Sequence, residues 1–302
     1  MGQVCFQSKH QALSGALTIS RSLHPTSPAA TVQVAGQHLY LIFDSTLASQ
    51  IYRKSQTFIF DPFMLMAFDV LGATKNDLEI VGMGAQTAYP NPKTKDNGRH
   101  FIHDLHKMTP QHLTGKPLDK LTDLFIETLC ADIDAKFPED DTASYEWQEM
   151  DICAYVKTTW AHASITSLFG TNIYAIWPGI EKWLWAFDEH FNSLMTKMPR
   201  FMLPIAWALR DEGWEKCAQW EADARKAEED NRFGEDPDWD PYWGLRFVRQ
   251  RAHYLKESGL TAKVRAGNQM VFIWGVSITP VLKEPQTNNT SLTPMQFQLR
   301  CK

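Results

Sequence analysis

The stretch Met270-Val-Phe-Ile-Trp-Gly-Val-Ser-Ile278 is apolar on every side. A sequence of that kind suits a helix buried in the middle of a domain, and such a helix needs other helices around it. The chain supplies them. After Pro178, the residues Ile180, Trp183/Leu184, Phe187, Phe191, Leu194/Met195 and Met198 recur at three and four positions, the period of one helical face. Pro117–Lys136 repeats the pattern with Leu118, Leu121, Leu124/Phe125 and Leu129, and Asp151–Phe169 with Ile152, Tyr155/Val156, Thr159 and Ala163. Within Val264–Pro280, Gly275 permits close approach of a flat ligand or another backbone, and Pro280 kinks or ends the helix. On the residues alone, a core helix without a ligand is the plainer of those two readings.

Strands are expected only in the first fifth. Thr31-Val-Gln-Val-Ala35 and Leu39-Tyr-Leu-Ile-Phe43 flank a turn at Gly36-Gln37 and carry β-branched and aromatic residues on both arms, which predicts a hairpin. Asp44 then reads as the cap of a short helix over Ser45–Lys54. Asp61-Pro62 opens another that runs through Phe63–Leu71 to Gly72. Ala85–Gly98, with Pro90, Pro92 and Gly98, reads as a loop. The fold class is mainly α with a small N-terminal β-hairpin.

The 302 residues hold 30 Lys and Arg against 35 Asp and Glu, a net charge of −5, and a nucleic-acid partner would need a clearly basic face. Apolar residues at 44% and charged residues at 22% place the chain among globular proteins. The 17 Phe, 11 Trp and 8 Tyr point to a core or pocket built from flat, bulky groups. No run reaches the 18 apolar residues of a membrane span, and residues 1–30 lack the apolar stretch of a signal peptide. Five widely spaced cysteines, Cys5, Cys130, Cys153, Cys217 and Cys301, form no CxxC. They disfavour a zinc ribbon or a disulfide framework and fit a reducing compartment.

Several smaller features carry chemistry only weakly. His100, His103 and His106 lie three residues apart and could bind zinc, but no acidic base stands in HExxH placement and exposed polar histidines are the default. Glu229-Asp-Asn-Arg232 matches ExxR inside an acidic run. That run, Asp211–Asp240, holds twelve acidic and four basic residues, a net of 4 − 12 = −8; it reads as a solvated helix over Asp211–Glu229 and a loop around Pro237. Phe201–Leu209 offers either a buried helix end or a segment that dips into a membrane surface. GxSxG, GxxxxGK[ST] and GxGxxG are missing from the sequence.

The hairpin Val32–Phe43 with Asp44–Arg53, Phe58-Ile-Phe-Asp-Pro-Phe63, Leu113–Asp119, Ser167-Leu-Phe-Gly170, Trp185–Glu189, Met198–Pro204 and Arg265–Pro280 follow one another along the chain. In that order they resemble a fungal-type cytochrome P-450, a haem-thiolate monooxygenase. The branch they are most similar to is that of sterol and bile-acid hydroxylases and prostacyclin synthase. The resemblance implies a cytochrome P-450 fold over residues 31–282, ending within the central helix that crosses the distal face of the haem. Residues 1–30 are then a poorly ordered segment and 283–302 a polar disordered tail. It places Trp274, Gly275, Ser277 and Thr279 at the distal haem face as cofactor-binding residues. It implies a lipophilic, sterol- or fatty-acid-like substrate, dioxygen chemistry at haem iron, an electron-donating reductase and an endoplasmic-reticulum membrane family.

The chain departs from that family in several places. The N-terminal anchor and proline-rich hinge have no counterpart, which leaves the location open between the family's endoplasmic-reticulum membrane and the cytosol. The second half of the central helix, the ExxR helix and the FxxGxxxCxG loop that supplies the thiolate are also missing, and Cys301 is followed only by Lys302. Trp274-Gly-Val-Ser-Ile-Thr-Pro280 is two residues shorter than the branch's distal motif and lacks its Asn. A thiolate pushes electron density through iron to favour O–O cleavage. The resemblance therefore implies a truncated N-terminal half, inactive by itself, with haem not stably held and with no catalytic residue or metal ligand of its own. The alternative is a non-catalytic helical protein that binds an apolar ligand.

Overall fold

The computed structural model describes residues 27–34, 37–54, 61–82, 101–137, 150–195 and 197–278. The readings of residues 1–26, of the loop over 85–98 and of the tail beyond 278 fall outside them, as do His100, Thr279, Pro280, Cys5 and Cys301. The chain divides into two compact units, Met1–Phe60 and Asp61–Lys302.

In the first unit, β1 (Ala29–Val34) and β2 (Gln37–Ile42) form an antiparallel hairpin with Thr31 opposite Tyr40. Helix α1 (Ser45–Arg53) begins where Asp44 accepts the Leu47 N–H at 2.6 Å, one of the donors that a helix start leaves unpaired.

The second unit is helical: α2 (Asp61–Val70), α3 (Lys75–Gly82), α4 (Phe101–His112), α5 (Lys116–Lys136), α6 (Ile152–Phe169), α7 (Ile173–Ile176), α8 (Ile180–Leu194), α9 (Pro204–Glu229), α10 (Arg246–Glu257) and α11 (Ala262–Ile278). Helices α5 and α6 pair side by side, and α9 and α11 pair in the same way, with α8 against α9 and α6 against α11. At the α9–α11 crossing, a Cβ on Gly213 would run into the Met270 sulfur and come within 2.7 Å of the Trp183 ring. Only glycine lets the two helices approach so closely.

A second apolar cluster joins Phe68, Val81, Phe101, Ile102, Leu255, Leu260 and Val264, with Phe101 stacked on Tyr254 at 5.6 Å. Asp77 ties this cluster to α11. Its buried carboxylate accepts the Thr74 N–H (2.9 Å) and hydroxyl (2.7 Å) at the start of α3, and the Thr261 N–H (2.8 Å) and hydroxyl (3.0 Å) just before α11. Burial pushes the Asp77 pKa up, but the hydrogen bonds from Thr261 and Thr74 outweigh it and hold the carboxyl below its ordinary value.

Two expectations are corrected. A second hairpin lies far from the N-terminus: β3 (Trp239–Asp240) pairs with β4 (Gly244–Leu245). Two-residue strands are too short to show a period. Asp240 holds the turn by accepting the Tyr242 and Trp243 N–H groups, and Arg249 meets it at 2.9 Å. The acidic run is also more than a solvated helix. Helix α9 buries Trp214, Cys217, Trp220, Glu221, Ala224 and Ala227. The acids of the run find cations: Glu221 on α9 meets Arg225 and Arg265, and beyond α9 Asp236, Asp238 and Asp240 meet Arg246 and Arg249.

Candidate functional site on the last helix

The first part of α11 is enclosed: Val264, Ala266, Asn268, Gln269, Met270 and Ile273 are buried. The second part is not. Val271, Phe272, Trp274, Gly275 and Val276 are half-buried, so of the stretch expected to be covered on every side only Met270, Ile273 and Ser277 are fully enclosed among the described side chains. The uncovered side centres on Gly275, where an added Cβ would meet no described atom within 4 Å. Val271 stands one turn before it on the same side.

Trp274 is turned elsewhere. Its indole N–H donates to Asp188 Oδ1 at 3.0 Å, and its ring stacks on Phe191 with centroids 4.0 Å apart and meets the edge of Phe187. It ends a row of rings along α8, where Trp177 meets Trp183 at 4.6 Å and Trp183 stacks on Phe187 at 4.8 Å. Trp183 is anchored by donating to the Leu209 carbonyl at 2.8 Å. The row is legible in the spacing of α8. Its meeting with Trp274 is not, because Asp188 lies 86 residues away and nothing local marks it as a partner.

Ser277 is fully buried, and its hydroxyl has no hydrogen-bond partner among the described residues. At 100° per residue it lies about 160° around the helix from Gly275. The structure therefore brings Trp274 to α8, puts Ser277 inside and leaves Gly275 on the open side. Thr279 lies outside the described residues.

Among the described residues no atom lies within 4 Å of the Gly275 Cβ position, which leaves room there for the edge of a flat, apolar group. An iron ligand is a separate matter. Among the described cysteines, Cys130 and Cys153 are exposed on α5 and α6, and Cys217 is buried in α9. Burial, with Glu221 nearby, pushes the Cys217 thiol far above its usual range, so it is no thiolate. No group of three His, Cys, Asp or Glu side chains suited to a metal occurs among the described residues. Of the three spaced histidines, only His106 has a described side chain, and it is exposed on α4. The ExxR match does not form a helical ion pair: α9 ends at Glu229, Asn231 has φ 51°, and Arg232 meets Asp230 at 2.8 Å. The described residues thus combine open space at Gly275 with no cluster of three metal-ligating side chains.

The chain is similar to three fungal proteins. It is 24% identical over 280 residues to cytochrome P450 monooxygenase calL of Penicillium decumbens, covering 89% of this chain and 50% of that one. It is 26% identical over 139 residues to cytochrome P450 monooxygenase fsoE of Humicola fuscoatra, covering 45% and 24%. For cytochrome P450 monooxygenase efuG of Hormonema carpetanum the identity is 24% over 179 residues, covering 59% and 31%. These relatives support the cytochrome P450 superfamily. No family model matches the chain. The chain spans from about a quarter to half the length of the curated relatives it matches.

Proposed function

We propose that the chain supplies the distal half of a haem-dependent monooxygenase that oxidises a lipophilic, sterol- or fatty-acid-like substrate with electrons from a reductase. The observation that carries this reading is the similarity over 280 residues, and the uncovered side of α11 at Gly275 supports it. Residues 31–282 then form one incomplete cytochrome P450-like domain. When bound, haem supplies the activation of dioxygen. The chain's own part is to cover one face with Gly275 and Val271 and to wall the space with Phe191 and Trp274. The same proposal holds this chain alone to be inactive, and a turnover assay with a reductase checks it.

Haemin titration followed by quenching of tryptophan emission tests the face directly. Gly275→Phe fills the open side and is expected to weaken uptake at least tenfold; uptake unchanged by that substitution contradicts the reading. The aromatic row favours one further reading, a non-catalytic site for an apolar ligand, marked by sterol or fatty-acid binding without haemin.

Membrane association belongs to the same proposal. Phe201, Met202 and Ile205 are 83%, 54% and 59% exposed, while Leu203 and Ala206 between them are buried. Among the described residues no helix is long and apolar enough to cross a membrane. Contact with the surface of a bilayer through these three side chains is the form of association they support.

A further inference from the structure

Arg251, on α10, is buried against α11. No carboxylate among the described residues meets it. One guanidinium nitrogen donates to Gln269 Oε1, and the other donates to Asn268 Oδ1 and, at 3.3 Å, to the Asn268 carbonyl. The guanidinium lies over the Phe272 ring, 4.3 Å from its centre. Burial alone pulls its pKa down to about 9, so it remains a cation at neutral pH. Gln269 Nε2, also buried, has no partner among the described residues. The site is rich in donors and short of acceptors.

A buried charge without a counter-charge is a poor stabiliser, since an apolar side chain of similar volume usually serves as well or better. The guanidinium differs from such a side chain in geometry. Its rigid fork reads two acceptors while its plane stacks on a ring. Here those three contacts fall on residues 268, 269 and 272, within about 100° of the circumference of α11. They can be satisfied together at one rotation of that helix. Rotation by one residue would bring a different side chain to the open side in place of Gly275 and swing Trp274 away from Asp188.

We propose that Arg251 is a positioning residue that fixes the rotation of α11 about its own axis, keeping Gly275 on the open side and Trp274 against α8. The consequence for a bound ligand rests on the haem-face reading above; the rotation itself does not.

The test uses the full chain with 15N-labelled tryptophan. The Trp274 indole cross-peak is identified by its loss in Trp274→Phe, and Trp207, whose indole N–H donates to the Met198 carbonyl, serves as the control. Arg251→Met is expected to leave the melting temperature within a few degrees of the parent. It should shift or split the Trp274 peak, leave the Trp207 peak in place and lower hydrogen-exchange protection over residues 270–278 at least tenfold. Arg251→Lys, which keeps the charge but not the fork, should restore only part of that protection. If Arg251→Met does not fold, Asn268→Ala removes one acceptor and should move the same peak. An unchanged Trp274 peak with unchanged protection, in Arg251→Met or, failing that, in Asn268→Ala, overturns the proposal. A parent protein that keeps its Trp274 signal yet takes up no haemin contradicts the haem-face reading alone.

Discussion

Asp77 shows how much of this fold can hang on one side chain. Its carboxylate closes the start of α3 locally and the start of α11 across 184 residues. An amide offers one acceptor oxygen and turns a donor toward other donors, so Asp77→Asn is expected to cost about 1–3 kcal/mol in urea unfolding at pH 7. The pH dependence follows from the lowered pKa. The folded state binds the proton less tightly than the unfolded state. The stabilisation is therefore present above the unfolded value, about 3.9, and is lost as pH falls through the lower folded value. The gap between parent and Asp77→Asn should stay constant from pH 7 to 5 and shrink as the solution is taken toward pH 2. A gap that widens in acid contradicts this reading. Only half of the contact could be read in the sequence. Thr74 and Asp77 have the spacing of a capping pair, whereas Thr261 enters through tertiary packing.

The junction between α6 and the β3–β4 hairpin depends on backbone approach more than on side chains. Gly170 and Gly244 have φ of 80° and 73°, and a Cβ on either would collide with a carbonyl oxygen, of Pro241 or of Leu168. Alanine at each position combines left-handed strain with a backbone clash, for which about 2–4 kcal/mol is expected. Thermal unfolding should show both variants well below the parent, and Gly234→Ala should fall less, since nothing lies within 4 Å of its Cβ position. Equal losses at all three sites would mean that strain alone matters. At this scale the long helices were legible because their apolar residues keep a period of three to four: α5, α6 and α8 stand where Pro117–Lys136, Asp151–Phe169 and the run after Pro178 place them. Helix α9 stands over the expected Asp211–Glu229, but the acidic residues of that run hide its buried side. Trp214, Trp220 and the small residues Gly213, Ala224 and Ala227 line its buried side. The β3–β4 hairpin is too short to show a period, and the turning of Trp274 toward α8 depends on Asp188, 86 residues away.

At the scale of the second unit, the helices carry an uncovered stretch on α11 and an exposed apolar trio before and within the start of α9. The trio gives a direct test of membrane association. Replacing Phe201, Met202 and Ile205 together by serine removes three exposed apolar side chains without touching Leu203 or Ala206. Co-sedimentation with lipid vesicles should fall at least tenfold, with the melting temperature little changed, because those side chains contribute little to the core. Binding unaltered by the triple substitution would exclude this surface. The proposed function gives this chain a covering for one side of a porphyrin, at Gly275, and no thiolate for the other. The carbon monoxide difference spectrum of the reduced, haemin-supplemented protein tests it most directly. The account predicts no absorption band of a thiolate-ligated haem; a stoichiometric band of that kind would contradict it.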